Sequence, residues 1–308
     1  MPLFEPVSDA LIAGVRTAGD FLTDAGVTAV VDNWETSFKG LLTDNAPQAM
    51  DFINWIFSSK HHYVEELDLP FLNWFRVILV LMAYVVVIKV GQVIMSQFQP
   101  FKLYTFSIIH NTAMVLISAY MCIETVYQAV SLKYGLFGNY ALDSSAEHGM
   151  AKIVWVFYMS KFPEMLDTVI MVLKKNNRQV SFLHMYHHFS IALVWCIVTF
   201  SYPAGEAYFS IILNSFVHVV MYSYYLARVF KIEVPWKFYI TKFQMLQFMA
   251  NMVQGIYDVY ILKMDPVRGP TWLLQLLAIY MVSLLVLFGN YLRVNAGKAK
   301  KAKKAKSA

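Results

Sequence analysis

Charge is scarce in this sequence. Only 15% of its 308 residues are Asp, Glu, Lys or Arg, while 58% are hydrophobic. A soluble chain carries about 25% charged residues. So little charge argues against an ordinary soluble domain and points to a chain that crosses a membrane repeatedly, each crossing needing roughly 20 mostly apolar residues. Cysteine is nearly missing too. Cys122 and Cys196 both lie within apolar runs, and neither sits in a ligand-type spacing. That argues against a disulfide framework and a zinc site, and a thiol in such surroundings is inert packing. Residues 1–15 hold acids before any base. No basic segment precedes an apolar core there, so a cleavable signal peptide is not expected. Finally, surplus positive charge is lacking everywhere except at one end. The net charge of +5 comes entirely from Lys298, Lys300, Lys301, Lys303, Lys304 and Lys306, which leaves −1 for the rest of the chain. A nucleic-acid surface is therefore not expected.

What is present is a long apolar middle between two different ends. Residues 1–69 mix charges with apolar runs too short to span. They read as a non-membrane N-terminal region with amphipathic helices suited to lying on the membrane, and His61-His62 reads as surface. Seven candidate spans follow at roughly 70–92, 105–127, 151–173, 181–200, 207–228, 238–262 and 270–293. They make residues 70–295 one all-α, polytopic domain. One set of connections holds Lys102, then Lys174, Lys175 and Arg178, then Lys231 and Lys237, and ends in the lysine tail at 296–308; the other holds Lys133, Lys263 and Arg268. The basic-rich set should face the cytosol. That puts the N-terminus in the lumen and the C-terminus in the cytosol. The last five residues, Lys304-Ala-Lys306-Ser-Ala, resemble the KxKxx dilysine retrieval signal of endoplasmic-reticulum membrane proteins; a solvated end that fixes topology is the plainer reading.

Ionisable groups inside spans are costly, about 2.5–3.5 kcal/mol each, yet four consecutive spans carry them at helical spacing. The third has Lys161, Glu164, Asp167 and Thr168, with Pro163 weakening the helix. Residues three or four apart share a face, so Lys161 can pair with Glu164. The fourth has His184, His187 and His188 on one stripe; the fifth has Asn214, His218, Tyr222 and Tyr225; the sixth has Gln244, Gln247, Asn251, Gln254 and Asp258. An ion-pair network and helix-packing glue are the structural alternatives for the third and sixth. Lipid cannot satisfy such stripes, so four of them imply a shared polar interior. The loop with Lys174, Lys175 and Arg178 lies at the same end as the histidines. It suits a ligand with phosphates on its wet end.

An acyl-CoA has that shape: an apolar tail, a thioester and a phosphate-bearing head. Carbon–carbon bond formation needs a held acyl group, a stabilised enolate and proton traffic. Histidine can serve as nucleophile, oxyanion donor and base near neutral pH.

The residues now carry a resemblance. Lys161-Phe-Pro-Glu164-Met-Leu-Asp167-Thr168 resembles the KxxExxDT box of ELO-family fatty acid elongases. His184-Met-Tyr-His187-His188 resembles their HxxHH box. Asn214 to Tyr225 resembles NxxHxxMYxYY, and Thr241 to Gln247 resembles TxxQxxQ. The resemblance covers roughly residues 70–295. It implies seven transmembrane helices, six of them ringing a substrate tunnel closed at the lumenal end. It also implies condensation of acyl-CoA with malonyl-CoA to give 3-oxoacyl-CoA, CoA and CO2. His187 is implied as the nucleophile forming an acyl-histidine, with His218 beside it. His184, His188, Asp167, Glu164 and Asn214 complete the catalytic set. Lys161, Thr168, Lys174, Lys175, Arg178, Gln179, Tyr222, Tyr225, Gln244 and Gln247 are the expected substrate-binding residues. Gln179, five residues before the first His, is typical of members acting on polyunsaturated chains. No metal and no cofactor beyond the two CoA substrates is expected. Membrane lipid, the reductases and dehydratase of the elongation cycle, and a second copy of the chain are the expected partners.

Two other readings compete. A di-iron membrane desaturase or hydroxylase also uses HxxHH, but needs about eight histidines in three boxes. Here only His110, His184, His187, His188 and His218 lie in the membrane region. A seven-span receptor or transporter leaves the three-histidine stripe unexplained.

Overall fold

The computed structural model describes residues 5–306, with side chains for 6–236 and 239–294. The side chains of Lys304 and Lys306, and the closing Ser307 and Ala308, lie outside the described residues, so the dilysine reading falls outside them too. Every regular element among the described residues is helical.

Four helices precede the first expected span: α1 (Glu5–Asp24), α2 (Val27–Asn45), α3 (Pro47–Ile56) and α4 (His62–Glu66). Then come α5 (Trp74–Ser96), α6 (Tyr104–Ser131), α7 (His148–Glu164), α8 (Leu166–Leu173), α9 (Phe182–Ser201), α10 (Ala207–Val229), α11 (Ile240–Ile256) and α12 (Thr271–Lys306). Among the described residues, five segments are long and apolar enough to cross a membrane: α5, α6, α9, α10 and Thr271–Val294 of α12. The expected third and sixth spans differ from these five for a physical reason. The third is split into α7 and α8 at Met165, just past Pro163, where the missing amide and the charged side chains interrupt the helix. The sixth is α11, diluted by its glutamine stripe and continued as a π-helical turn over Tyr257–Ile261.

Neighbour relations close six of these helices into a ring. α7 packs on α6 and α9, α6 on α10, α10 on α11, α11 on α12, and α12 on α9, while α5 lies outside against α8 and α9. α7 is its most enclosed member, with Ile153 to Tyr158 all buried. A helix apolar all round belongs inside. In lipid such burial stabilises through close packing rather than through leaving water. Gly255 lets α11 approach α12, since a Cβ there would lie 3.1 Å from the Leu274 carbonyl oxygen.

One end of the ring is tied shut by buried carboxylates. Glu147, with no exposed surface, accepts from Tyr63 Oη at 2.9 Å, from the Leu142 amide at 2.8 Å, and from Tyr134 Oη. Burial and this contact raise the Tyr63 and Tyr134 hydroxyls above their usual range. Glu206 accepts from the Asn139 amide at 2.5 Å and its Nδ2 at 2.7 Å, and from Gln254 Nε2. Asp258 accepts from the Gly138 amide at 3.1 Å. The N-terminal region docks at this end too. The His61 amide donates to the Phe200 carbonyl at 3.0 Å, and the Trp55 and Trp272 rings lie 5.1 Å apart. His61 is therefore only partly surface. Its Nδ1 accepts from the Tyr63 amide at 3.3 Å, and burial, helped by neighbouring His62, pushes its pKa down to about 4. His62 is exposed, as expected.

Gly205 tests this closure. Its φ is +56°, and a Cβ would meet the Asn139 carbonyl oxygen at 2.8 Å. Gly205→Ala should lower the thermal midpoint of purified protein, at a cost of about 1–3 kcal/mol. Gly40→Ala, on α2 with open space around it, should be neutral or stabilising by up to about 1 kcal/mol.

Candidate active site

At the other end, α9 starts cleanly because Ser181 caps it, its Oγ accepting from the His184 amide at 3.2 Å. That fixes the first turns, and with them the three histidines. His184 Nε2 meets Thr168 Oγ1 at 2.8 Å, and Thr168 Oγ1 meets Tyr84 Oη at 2.8 Å. The chain Tyr84–Thr168–His184 thus joins α5, α8 and α9. The His184 and His188 rings lie 4.4 Å apart. His187 packs against His188 at 5.7 Å and Phe248 at 6.5 Å. The Nδ1 atoms of His187, His188 and His218 are buried without a hydrogen-bond partner.

Below them lies the buried ion pair that the spacing anticipated. Lys161 Nζ donates to Glu164 Oε1 at 2.7 Å and to Asn214 Oδ1 at 3.2 Å. Its ammonium also sits 3.9 Å from the Phe157 ring centroid, a favourable cation–π contact. His218 Nδ1 is 3.4 Å from Glu164 Oε1. That is close enough for electrostatic coupling but not aligned as a hydrogen bond. Asp167 is held from both sides, by His110 Nε2 at 2.9 Å and by Tyr222 Oη at 2.7 Å.

These groups surround a cavity of about 1270 Å³, part of it open to solvent. Glu164, Asp167, His184, His187, His188, His218, Tyr222, Tyr225 and Gln244 line it, with Arg178 and Gln179 at its mouth. A deeper and much tighter space, nearly closed by side chains, is lined by Asn214, Gln247 and Asn251 together with Phe157, Trp195 and Leu277. His187 lines both. A third, small space lies toward the closed end and shares Leu277 with the second. Lys161 and Thr168 stand behind the walls as supports.

The match to known sequences can now be stated. Residues 69–305 match the GNS1/SUR4 family, ELO. The chain belongs to the ELO family. Among similar proteins, fatty acid elongase 6 of Leishmania major is 38% identical over 84% of this chain and 70% of its own length. Very long chain fatty acid elongase 5 of Tachysurus fulvidraco is 34% identical over 72% and 76% respectively. The human protein of that name is 36% identical over 68% and 70%.

In this ELO-family chain, two of the expected substrate-binding residues make contacts away from the cavity. Lys174 Nζ donates to Ser107 Oγ at 2.7 Å, and Lys175 Nζ to the Phe98 carbonyl at 2.9 Å. The cause is local. Lys174 caps α8 and lies against the start of α6, while the chain turns through Lys175, whose φ is +57°, with its ammonium on the α5–α6 connection. Of the basic loop, only Arg178 reaches the cavity. Conversely, Tyr84 and His110 belong to the network although neither lies in a quoted motif. An ionisable side chain within a span was the signal for His110; Tyr84 gave none. Among the described residues, the group spaced to share a metal ion is His61, His62 and Asp143, at the opposite end.

Lys161 and Glu164 are each 1% exposed. Lys161→Met should destabilise the fold by about 3–5 kcal/mol, because it strands the carboxylate in a dry interior. Lys161→Met combined with Glu164→Gln should recover much of that loss. Thermal unfolding of the two purified variants in the same detergent measures the difference.

Proposed function

We infer that the chain is a membrane-embedded fatty acid elongase carrying out the condensing step, 3-oxoacyl-CoA synthesis, in the cavity beside His187. The carrying observation is that His187 stands on the boundary between the polar mouth and the deeper space. An acyl thioester held there keeps its head toward Arg178 and sends its tail inward.

The reaction is written as follows. A His187 ring nitrogen attacks the thioester carbonyl, the carbon–sulfur bond breaks, and CoA leaves as the thiol with the imidazole proton. Malonyl-CoA then binds, and loss of CO2 leaves the bonding pair as an enolate. The enolate carbon attacks the acyl-imidazole carbonyl, the carbon–nitrogen bond breaks with its pair returning to the His187 nitrogen, which takes up a proton from solvent, and 3-oxoacyl-CoA departs. His218, coupled to Glu164, is placed to steady the developing negative charge. Thr168 and Tyr84 hold His184. Asp167, between His110 and Tyr222, fixes the wall opposite. No metal or redox cofactor enters this scheme. Gln179 at the mouth supports polyunsaturated substrates. The basic connections and the tail support an endoplasmic-reticulum membrane, a lumenal N-terminus and a cytosolic C-terminus. The reductases and dehydratase of the cycle and a second copy of the chain remain proposed partners.

Given acyl-CoA alone, purified enzyme should release one equivalent of CoA in a burst and gain one acyl group, mapped by mass to His187. His187→Ala should lose both. CoA release that waits for malonyl-CoA, with no adduct, would instead mean direct condensation.

The CoA head makes a second test. Arg178→Ala should raise KM for acyl-CoA roughly tenfold, about 1.4 kcal/mol for a charged contact. Lys175→Ala should leave KM near the parent value, since its ammonium is turned away. Steady-state kinetics on the two variants separates them.

A further inference from the structure

α2 has three faces that look in different directions. One is bound to protein. Asp32 takes Arg76 at 2.7 Å, and Glu35 takes Asn73 Nδ2 at 3.1 Å. Arg76 and Asn73 belong to the first turn and N-cap of α5, so α2 is fastened where that span begins. The second face holds Val27, Val30, Trp34, Phe38 and Leu41, all exposed, Trp34 at 58% and Leu41 at 62%, with Phe38 at its edge also packed on Trp74 and Phe75 of α5. At about 100° per residue these five fall within roughly 80° of one another. The third, opposite the stripe, carries exposed Thr36. α3 continues the apolar surface with exposed Phe52 and Trp55, and Trp55 touches Trp272 at the start of α12.

We propose that α2 and α3 form an interfacial anchor, with the stripe of α2 sunk into the headgroup–acyl boundary of the leaflet at which α5 and α12 begin. Three observations select lipid as the occupant. The helix to which α2 is fastened, α5, itself turns apolar side chains outward, with Val86 and Val93 exposed on one face. Its aromatics sit at the height of a span's first turn, where Trp is favoured. Residues 5–56 hold eight acids and two bases. An acid-rich helix is repelled by an anionic leaflet, so this anchor works by apolar insertion and fits a neutral one. Seating α2 and α3 in the bilayer then fixes the starts of α5 and α12, which flank α9 and its histidines.

The test uses the full-length protein in phosphatidylcholine nanodiscs, spin-labelled at Trp34→Cys, at Leu41→Cys and at Thr36→Cys, with labelled parent subtracted for Cys122 and Cys196. Collision with dissolved oxygen reports lipid; collision with a water-soluble nickel chelate reports solvent. Positions 34 and 41 should be several-fold more sensitive to oxygen than to nickel, and position 36 the reverse. Equal nickel sensitivity at all three would overturn the anchor. So would positions 34 and 41 shielded from both agents with spin–spin broadening, which would assign the stripe to a second copy of the chain. The two stripe positions check each other where one variant fails to fold.

Discussion

The Lys161–Glu164 pair is the constraint around which the ring is arranged. Two charges 2.7 Å apart, each 1% exposed, are tolerated away from water only if their remaining hydrogen-bond capacity is used. Asn214 on α10 takes a second proton of the ammonium, Ser160 donates to the carboxylate at 3.2 Å, and Phe157 covers the cation. Satisfying this pair therefore requires α7 and α10 to meet at one depth. That meeting brings His218 beside Glu164 and sets the wall facing α9. The ion pair contributes position more than net stability, and the histidines inherit that position.

Asymmetry between the two ends follows from the same accounting. At the closed end, Glu147 and Glu206 spend their lone pairs on tyrosine, amide and glutamine donors, so little is left for a ligand. At the mouth, three imidazole Nδ1 atoms lie buried without partners. Unpartnered buried polar atoms destabilise by about 1–3 kcal/mol each. Asp258 Oδ2 at the closed end is unpartnered as well, so what distinguishes the mouth is that three such atoms gather beside one cavity.

Much of this was legible in the sequence, because in lipid a polar side chain must point inward. Helical spacing alone placed Lys161 with Glu164, the three histidines on one stripe, and Asn214 with His218 on another. What escaped had no such rule behind it. Lys174 and Lys175 follow α8 in a basic run, and only the packing of that turn beside α6 and the α5–α6 connection gives them Ser107 and the Phe98 carbonyl as partners. Tyr84 sits in an apolar helix where a tyrosine reads as packing; its hydroxyl matters only because α5 happens to lie against α8. The split between α7 and α8 was half-legible, since Pro163 marked the weak point but not the full break at Met165.

The position of His187 carries one more consequence for the proposed chemistry. An acyl-imidazole is readily hydrolysed, so it needs a nucleophile near water's edge to receive the thioester and a dry surround to keep the product. His187 meets both needs through one side chain that lines two spaces. Toward the mouth it faces Glu164, His218 and Tyr222; inward it faces Phe157, Trp195 and Phe248. An acyl chain that widened this tight inner space on entering would itself exclude water from the carbonyl it is attached to. Substrate fit and protection of the intermediate are then the same interaction. An acyl group too short to fill that space would leave the intermediate wetter and shorter-lived.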